Sequence, residues 1–129
     1  MCFNVSRKHP DSLITQEDII CYKSSDTTKR RYKTFSSDYR RFDYKLGKVY
    51  RLMTSLEPTR KVELYPEPRF AESQVINQGF HSYIKIPTQY LNDRLVECII
   101  PKGSTYYINP DENEYVSDQI IIKRYMSFT

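Results

Sequence analysis

Cysteine, histidine and glycine are scarce in this chain. The numbers and spacing of the cysteines and histidines argue against several classes of protein. The three cysteines, Cys2, Cys21 and Cys98, are odd in number and form no C-x-x-C pair. This pattern argues against a disulfide framework or a zinc site and favours a reducing, intracellular setting. The two histidines, His9 and His81, add no metal-ligand spacing to the cysteines. We therefore expect neither a metal nor a cofactor.

Long apolar runs are also missing. No run approaches the roughly 20 apolar residues that are needed to span a bilayer. Residues 1–12 lack the apolar core of a secretory signal. We expect no membrane association and a cytoplasmic location. Because the chain has only three glycines, its sharp turns must rely mainly on Asn, Asp, Ser and Pro.

The clearest signal for a fold is in residues 96–126. A β-rich run ends in the turn sequence Pro-Lys-Gly-Ser at 101–104, and a Tyr-rich strand and a polar break at 109–113 follow it. Three consecutive isoleucines, Ile120 to Ile122, are typical of a strand buried on both faces. We predict that residues 96–100 and 119–125 are central strands of one sheet, with all three isoleucines buried.

The rest of the chain predicts short elements. The first is a strand at 18–23 with Ile19, Ile20 and Cys21 in the core. A strand at 44–53 with a bulge at Gly47 and an edge strand at 61–65 follow. The last two are a sharp turn at Gly79 and a two-turn helix at 87–93. The resulting fold class is α+β and β-dominant, with about six or seven strands and one or two short helices. A lead-in at 1–16, loose unless docked, precedes a single compact domain at 17–129.

Positive charge is concentrated in one segment. Residues 23–51 contain ten Lys or Arg and three Asp, a net +7, whereas residues 1–22 carry −1 and residues 52–129 carry −2. Aromatic side chains alternate with the basic ones between residues 30 and 42, which suits either an irregular excursion or an edge hairpin. Such a pattern can follow a phosphate backbone, contact an acidic protein, or form a solvated edge that resists aggregation.

Three local patterns invite a catalytic interpretation, and each has a simpler one. His81 and Ser82 are neighbours in a predicted strand, so they point to opposite faces and form no catalytic pair. Glu112, Glu114 and Asp118 suit acid–base chemistry, but solvated loop carboxylates are commoner. Lys102-Gly103-Ser104 lacks the upstream glycine and the following helix of a phosphate loop. Cys98 is expected to be a packing thiol.

The order of short motifs resembles a small domain of unknown function found in bacteria and their phages. Its motifs appear here as I-x-x-Y-K at 19–23, G-x-x-Y at 47–50, G-F-H-S at 79–82, a strand ending in P-K-G at 99–103, and S-D-x-I-x-I at 117–122. The resemblance covers residues 18–126. It implies a compact β-rich domain and attaches no activity to it.

The chain is also distantly similar to the ADP-ribosyltransferase fold. Lys23 stands where that family has a basic residue on its first strand, and Gly79-Phe80-His81-Ser82 stands where its middle motif begins. Gln119 occupies the position of the catalytic glutamate, and an amide does not stabilise an oxocarbenium-like centre as a carboxylate does. The resemblance therefore implies a copy without transferase activity that keeps a nucleotide-binding cleft or has become an interaction module.

Together these features predict a noncatalytic binding module, phage-encoded if the resemblance holds, that acts in the host cytoplasm or in a virion. Its expected partner is an acidic protein, a nucleotide or nucleic acid, or neighbouring copies in a homo-oligomer. The alternative is a small ADP-ribosyltransferase-like enzyme with a rearranged acid, Glu114 or Asp118. The candidate binding residues are Lys23, Lys29, Arg30, Arg31, Tyr32, Lys33, Tyr39, Arg40, Arg41, Phe80, His81 and Ser82.

Overall fold

Short β-strands dominate the computed structural model, which describes residues 3–24, 34–36, 43–64, 70–87 and 95–126. The only helical element in these ranges is a single 3-10 turn, Pro110–Glu112, which Asn109 caps. The strands are β1 (Phe3–Asn4), β2 (Leu13–Ile14), β3 (Ile19–Ser24), β4 (Thr34–Ser36), β5 (Asp43–Lys45), β6 (Val49–Arg51), β7 (Thr59–Leu64), β8 (Phe70–Ile76), β9 (Phe80–Tyr83), β10 (Leu95–Ile100), β11 (Thr105–Asn109), β12 (Glu114–Ser117) and β13 (Gln119–Tyr125).

Eight of these strands form one antiparallel sheet with the order β2-β11-β12-β9-β3-β10-β13-β6. Strand β10 lies between β3 and β13, and β13 lies between β10 and the three-residue edge strand β6. All residues of β10 except Ile99 are buried. The prediction that residues 96–100 and 119–125 are central strands of one sheet is therefore confirmed, and the structure shows in addition that the two are neighbours.

The strand register divides the large sheet into two faces. Cys21, Cys98 and Ile122 lie opposite one another on three adjacent strands and define what we call the cysteine face. Tyr22, Glu97 and Arg124 form the next row and define the glutamate face. The main hydrophobic core covers the cysteine face, where Ile100, Ile120 and Ile122 are fully buried beside both cysteines.

A second, three-stranded sheet with the order β1-β8-β7 packs against the other face. Phe3 and Ile76 of this small sheet are fully buried in a cluster with Tyr107 and Val116. By register, Tyr107 pairs with Val116 and Val116 pairs with His81, so all three lie on the glutamate face. Strand β7 lies at the edge of the small sheet, as predicted for residues 61–65.

Two strands fall within the predicted lead-in. Strand β1 pairs with β8, and β2 pairs with β11 at an edge of the large sheet. Between them and β3, Thr15 exchanges backbone hydrogen bonds with Ser104 (2.9 Å) and Gly103 (3.0 Å). The N-terminal residues are thus fastened to the turn at 101–104, which has the positive φ that was expected at Gly103, 85°.

Several predicted elements differ from the structure. The single strand at 44–53 is two strands, because Gly47 adopts a φ of 79° and its turn separates β5 from β6. The polar break ends at Asn113 as predicted, but β12 and all of β8 were not predicted. The predicted helix at 87–93 lies outside the described residues, apart from Pro87. The strands outnumber the predicted six or seven because many contain only two to four residues.

Burial also departs from the prediction at two isoleucines. Ile20 is 51% exposed, and Ile121 is only half-buried between the fully buried Ile120 and Ile122. Both lie on the glutamate face, in a register row that runs through Ile20, Ile99, Ile121 and Val49. Consecutive isoleucines alternate faces in a strand, so an apolar run does not by itself require burial on both sides.

Candidate functional site

The structure brings together the four candidate binding residues that it describes. Lys23 is in β3, and Phe80, His81 and Ser82 are in β9, which pairs with β3 through Tyr22 and Tyr83. The Lys23 side chain is nearly buried at 8% exposure, and its Nζ donates a hydrogen bond to the carbonyl oxygen of His81 at 2.5 Å. A lysine is rarely this buried unless it is paired. The hydrogen bond therefore fixes the position of the ammonium group within the site.

A tight turn at Gly79 brings β9 to its position. Gly79 has a φ of 89°, a conformation that favours glycine because it has no Cβ. An added Cβ there would lie 2.5 Å from Leu56 Cδ2 and 2.9 Å from both Ser117 O and Val116 Cγ2. The sharp turn predicted at Gly79 is confirmed, and close packing as well as backbone conformation requires glycine.

Ser82 presents a polar atom without a partner. Its side chain is 4% exposed, and its hydroxyl makes no hydrogen bond of ordinary geometry within the described part of the chain. Ser82 pairs in register with Tyr115, which belongs to the core of the cysteine face. A buried hydroxyl left unpaired costs about 1–3 kcal/mol.

His81 and Ser82 lie on opposite faces, as predicted. The His81 ring meets the ring of Phe3 edge to face, with 6.4 Å between centroids, on the side where the small sheet packs. Because Ser82 faces the other way, the two side chains form no nucleophile–base pair. His81 contributes its backbone carbonyl to the site through Lys23 and its ring to the packing against Phe3.

Cys21 belongs to the same site, although it was expected only as a core residue. It lies on the same face as Lys23, two positions earlier in β3. Burial by itself raises the pKa of the Cys21 thiol, but hydrogen bonding by Cys98, the nearby Ser82 hydroxyl and the charge of Lys23 together lower it. The period of two in a strand would have indicated from the sequence that Cys21 and Lys23 share a face.

The basic segment is only partly described. Lys29, Arg30, Arg31, Tyr32, Lys33, Tyr39, Arg40 and Arg41 lie outside the described residues. Within the segment, Thr34–Ser36 pairs with Asp43–Lys45, with Phe35 opposite Tyr44. These six residues form an antiparallel strand pair, and the remainder of the excursion or hairpin predicted at 30–42 lies outside the described residues.

The three carboxylates considered as catalytic acids have different surroundings. Asp118 Oδ1 accepts a hydrogen bond from Thr105 N at 2.9 Å and so fastens the corner between β12 and β13 to β11. Both Glu112 carboxylate oxygens accept hydrogen bonds from Asn4 Nδ2, at 2.9 and 3.1 Å. Glu114 is half-buried, and burial together with the negative charge of Glu112 raises its pKa to about 6.

Register also separates Glu114 from the site. Glu114 pairs with Tyr83, whereas the neighbouring Tyr115 pairs with Ser82. Glu114 therefore lies on the glutamate face, and Ser82 and Lys23 lie on the cysteine face. Gln119 accepts a hydrogen bond from Arg51 Nε at 3.1 Å.

A separate surface depression of about 480 Å³ lies beyond the end of β9. Ile84, Lys85, Glu112 and Asn113 are among the residues that line it. Asn113 adopts a left-handed conformation, and its side chain hydrogen-bonds to both Lys85 N (2.8 Å) and Lys85 O (3.0 Å). The side-chain amide of Asn113 thus satisfies both backbone groups of Lys85, as a paired strand would, and holds this wall of the depression in place.

No cluster of three or more His, Cys, Asp or Glu side chains suited to a metal occurs in the ranges that the structure describes. The same ranges contain no helix long and apolar enough to cross a bilayer. Comparison of the chain with protein-family models, with curated proteins and with solved structures finds no match. The function must therefore be argued from the contacts of this chain alone.

Proposed function

We propose that the chain is a noncatalytic binding module for an anionic partner, and that this partner carries phosphate. The observation that carries the proposal is that the nearly buried Lys23 side chain, whose Nζ donates to the carbonyl oxygen of His81, lies on the same face of the sheet as the buried Ser82 hydroxyl. A cation and a hydroxyl donor are the groups that phosphate oxygens require.

The charge distribution supports the same partner. The segment that carries a net +7 includes Lys23 and continues directly from β3, so its basic residues 29–33 follow within a few residues of the site. Six like charges between residues 29 and 41 repel one another in the absence of a ligand. A nucleotide or nucleic acid would neutralise them, and the interleaved aromatic rings would stack on its bases. We place the module in the cytoplasm, that of the host if the chain is phage-encoded.

The test compares two variants of equal charge. In the first, Arg30, Arg31, Arg40 and Arg41 are changed to Ser; in the control, the exposed residues Arg7, Lys8, Lys85 and Lys102 are changed to Ser. Binding of nucleoside diphosphate, single-stranded oligonucleotide and an acidic peptide is measured by fluorescence anisotropy. We expect parental binding of a phosphate ligand to weaken at least about tenfold between about 50 and 200 mM salt, and the first variant to lose far more affinity than the control.

Two results would overturn the proposal. Parental binding that is indifferent to salt would identify the basic segment as a solvated edge, and equal losses in the two variants would show that only net charge matters. Preference for the acidic peptide would redirect the proposal to an acidic protein partner.

The alternative function, an ADP-ribosyltransferase-like enzyme that uses Glu114 or Asp118, receives less support from the geometry. Glu114 lies on the face opposite Lys23 and Ser82, and the Asp118 carboxylate already accepts the hydrogen bond of Thr105 N. Incubation with labelled NAD and lysate tests this alternative. Label transfer that disappears in Glu114→Gln would place the enzyme ahead of the binding module.

A further inference from the structure

Cys21 and Cys98 lie directly opposite each other on adjacent central strands. They are register partners in the antiparallel pair β3–β10, both are fully buried, and both are free thiols. Directly opposed residues in antiparallel strands have Cα atoms about 4.5–5.5 Å apart. A disulfide accepts Cα separations of about 4.4–6.8 Å. The register thus places the two Cα atoms at a separation that a disulfide can bridge.

The surroundings of the pair make its two sulfurs unequal. Cys98 Sγ donates to the carbonyl oxygen of Val96 at 3.9 Å, and burial followed by the influence of Cys21 raises the pKa of the Cys98 thiol well above its ordinary value. Cys21 instead has Lys23 and Ser82 beside it, and these help to lower its pKa. Cys21 is thus suited to react as a thiolate, and Cys98 keeps its proton until the second step.

We propose that Cys21 and Cys98 form a redox-active dithiol, a modification site at which a peroxide oxidant creates a disulfide between β3 and β10. The Cys21 thiolate attacks one peroxide oxygen, the O–O bond breaks, and hydroxide leaves, so that Cys21 becomes a sulfenic acid. The Cys98 sulfur then attacks the Cys21 sulfur as its proton passes to the departing hydroxyl, which leaves as water. The two sulfurs are oxidised by two electrons, and peroxide is reduced to water and hydroxide.

Burial of both sulfurs selects the oxidant. A molecule as small as hydrogen peroxide needs only a slight opening of the packed strands, whereas a bulky disulfide needs much greater exposure. The proposal does not depend on the phosphate ligand, because it rests on the register of β3 with β10. The proposal departs from the expectation that Cys98 is only a packing thiol. That expectation was made without knowing that Cys98 faces Cys21, which lies 77 positions earlier in the chain.

The experiment uses Cys2→Ser protein, in which the facing pair are the only cysteines. Native protein is treated with hydrogen peroxide, alkylated under denaturing conditions and digested with trypsin. We expect an intact mass lower by about 2 Da and no alkylated cysteine. We also expect one cross-linked peptide that joins residues 9–23 to residues 95–102. Reduction should restore both thiols.

Matched variants test the assigned order of events. With Cys98→Ala added, we expect Cys21 to stop at the sulfenic acid, which dimedone traps; with Cys21→Ala added, Cys98 should react at least about tenfold more slowly, because its proton is retained. Circular dichroism verifies that each variant folds. The Cys2→Ser protein, which keeps both Cys21 and Cys98, tests the proposal even if these variants fail to fold. The proposal would be overturned if both thiols could still be alkylated after peroxide treatment of the native protein, or if disulfides formed only between molecules.

Discussion

Arg124 reaches across from β13 to Glu97 of β10, with Nε 3.0 Å and Nη2 3.5 Å from the two carboxylate oxygens. The pair is asymmetric in exposure, because the Glu97 side chain is 10% exposed and that of Arg124 is 64% exposed. Lys123 Nζ also lies 3.6 Å from Glu97 Oε2. Consecutive strand residues normally face opposite sides, but a register shift between Glu97 and Cys98 places two residues of β13 opposite one of β10. The bulge thus supplies Glu97 with two cations.

The first prediction concerns Glu97 and pH. The hydrogen bond from Arg124 outweighs burial and lowers the pKa of Glu97 below the ordinary 4.5. Its contribution to stability is therefore complete above about pH 4.5 and is lost as the pH falls through the lowered pKa. We expect Glu97→Gln to lower the free energy of unfolding by about 1 kcal/mol at pH 7, as measured by urea titration, and by less at acid pH. Lys123→Gln, the control, should cost less, and a loss that does not vary with pH would contradict the assignment.

The second prediction concerns close packing at Gly79. All three glycines have positive φ, but a Cβ on Gly103 would meet nothing within 4 Å, whereas one on Gly79 would meet Leu56, Val116 and Ser117. We expect Gly103→Ala to cost about 1 kcal/mol, from backbone conformation alone. Gly79→Ala should cost about 3 kcal/mol or more, because the core must also shift. Thermal unfolding of the two variants side by side measures the difference, and equal losses would mean that packing contributes nothing.

A third prediction follows from Glu114. Because burial raises its pKa to about 6, the folded state binds a proton more tightly than the unfolded chain does. The stability of the parent should therefore fall as the pH rises from about 4.5 to 6, by about 1 kcal/mol after allowance for solvent screening. Glu114→Gln should be the more stable protein at pH 7 and equal to the parent near pH 4. Glu57→Gln removes the same charge at an exposed position and controls for net charge.

The fourth prediction separates two adjacent isoleucines. Ile120 is fully buried in the core of the cysteine face, whereas Ile121 is half-buried on the glutamate face. We expect Ile120→Ala to cost about 3 kcal/mol and Ile121→Ala about 1 kcal/mol. Urea unfolding of the matched pair tests the assignment of faces. A larger loss at Ile121 would reverse it.

The central strands were predictable because their signal is local. Three isoleucines and a Pro-Lys-Gly-Ser turn identify β10 and β13 without knowledge of any distant residue. Strands β1 and β2 escaped prediction because a run of two residues shows no periodicity. The burial of Ile20 depends on which elements pack against the glutamate face. The sequence of β3 does not indicate these elements.

The site depends on long-range register, which a single sequence does not show. Lys23 donates to a carbonyl 58 positions away, and Cys21 faces Cys98 across a similarly long separation. Lys23, Phe80, His81 and Ser82 were named as candidates from separate parts of the chain, and the structure places them on two paired strands. Their residue types alone gave no reason to place β3 beside β9.

The two ends of the large sheet present short edges to an incoming strand. The edge strands β2 and β6 contain two and three residues, so each offers an incoming strand very few backbone hydrogen bonds. Extended addition of strands needs a long, flat edge as a template. These two borders therefore offer an added strand little template, even though Leu13 and Ile14 at one of them are exposed.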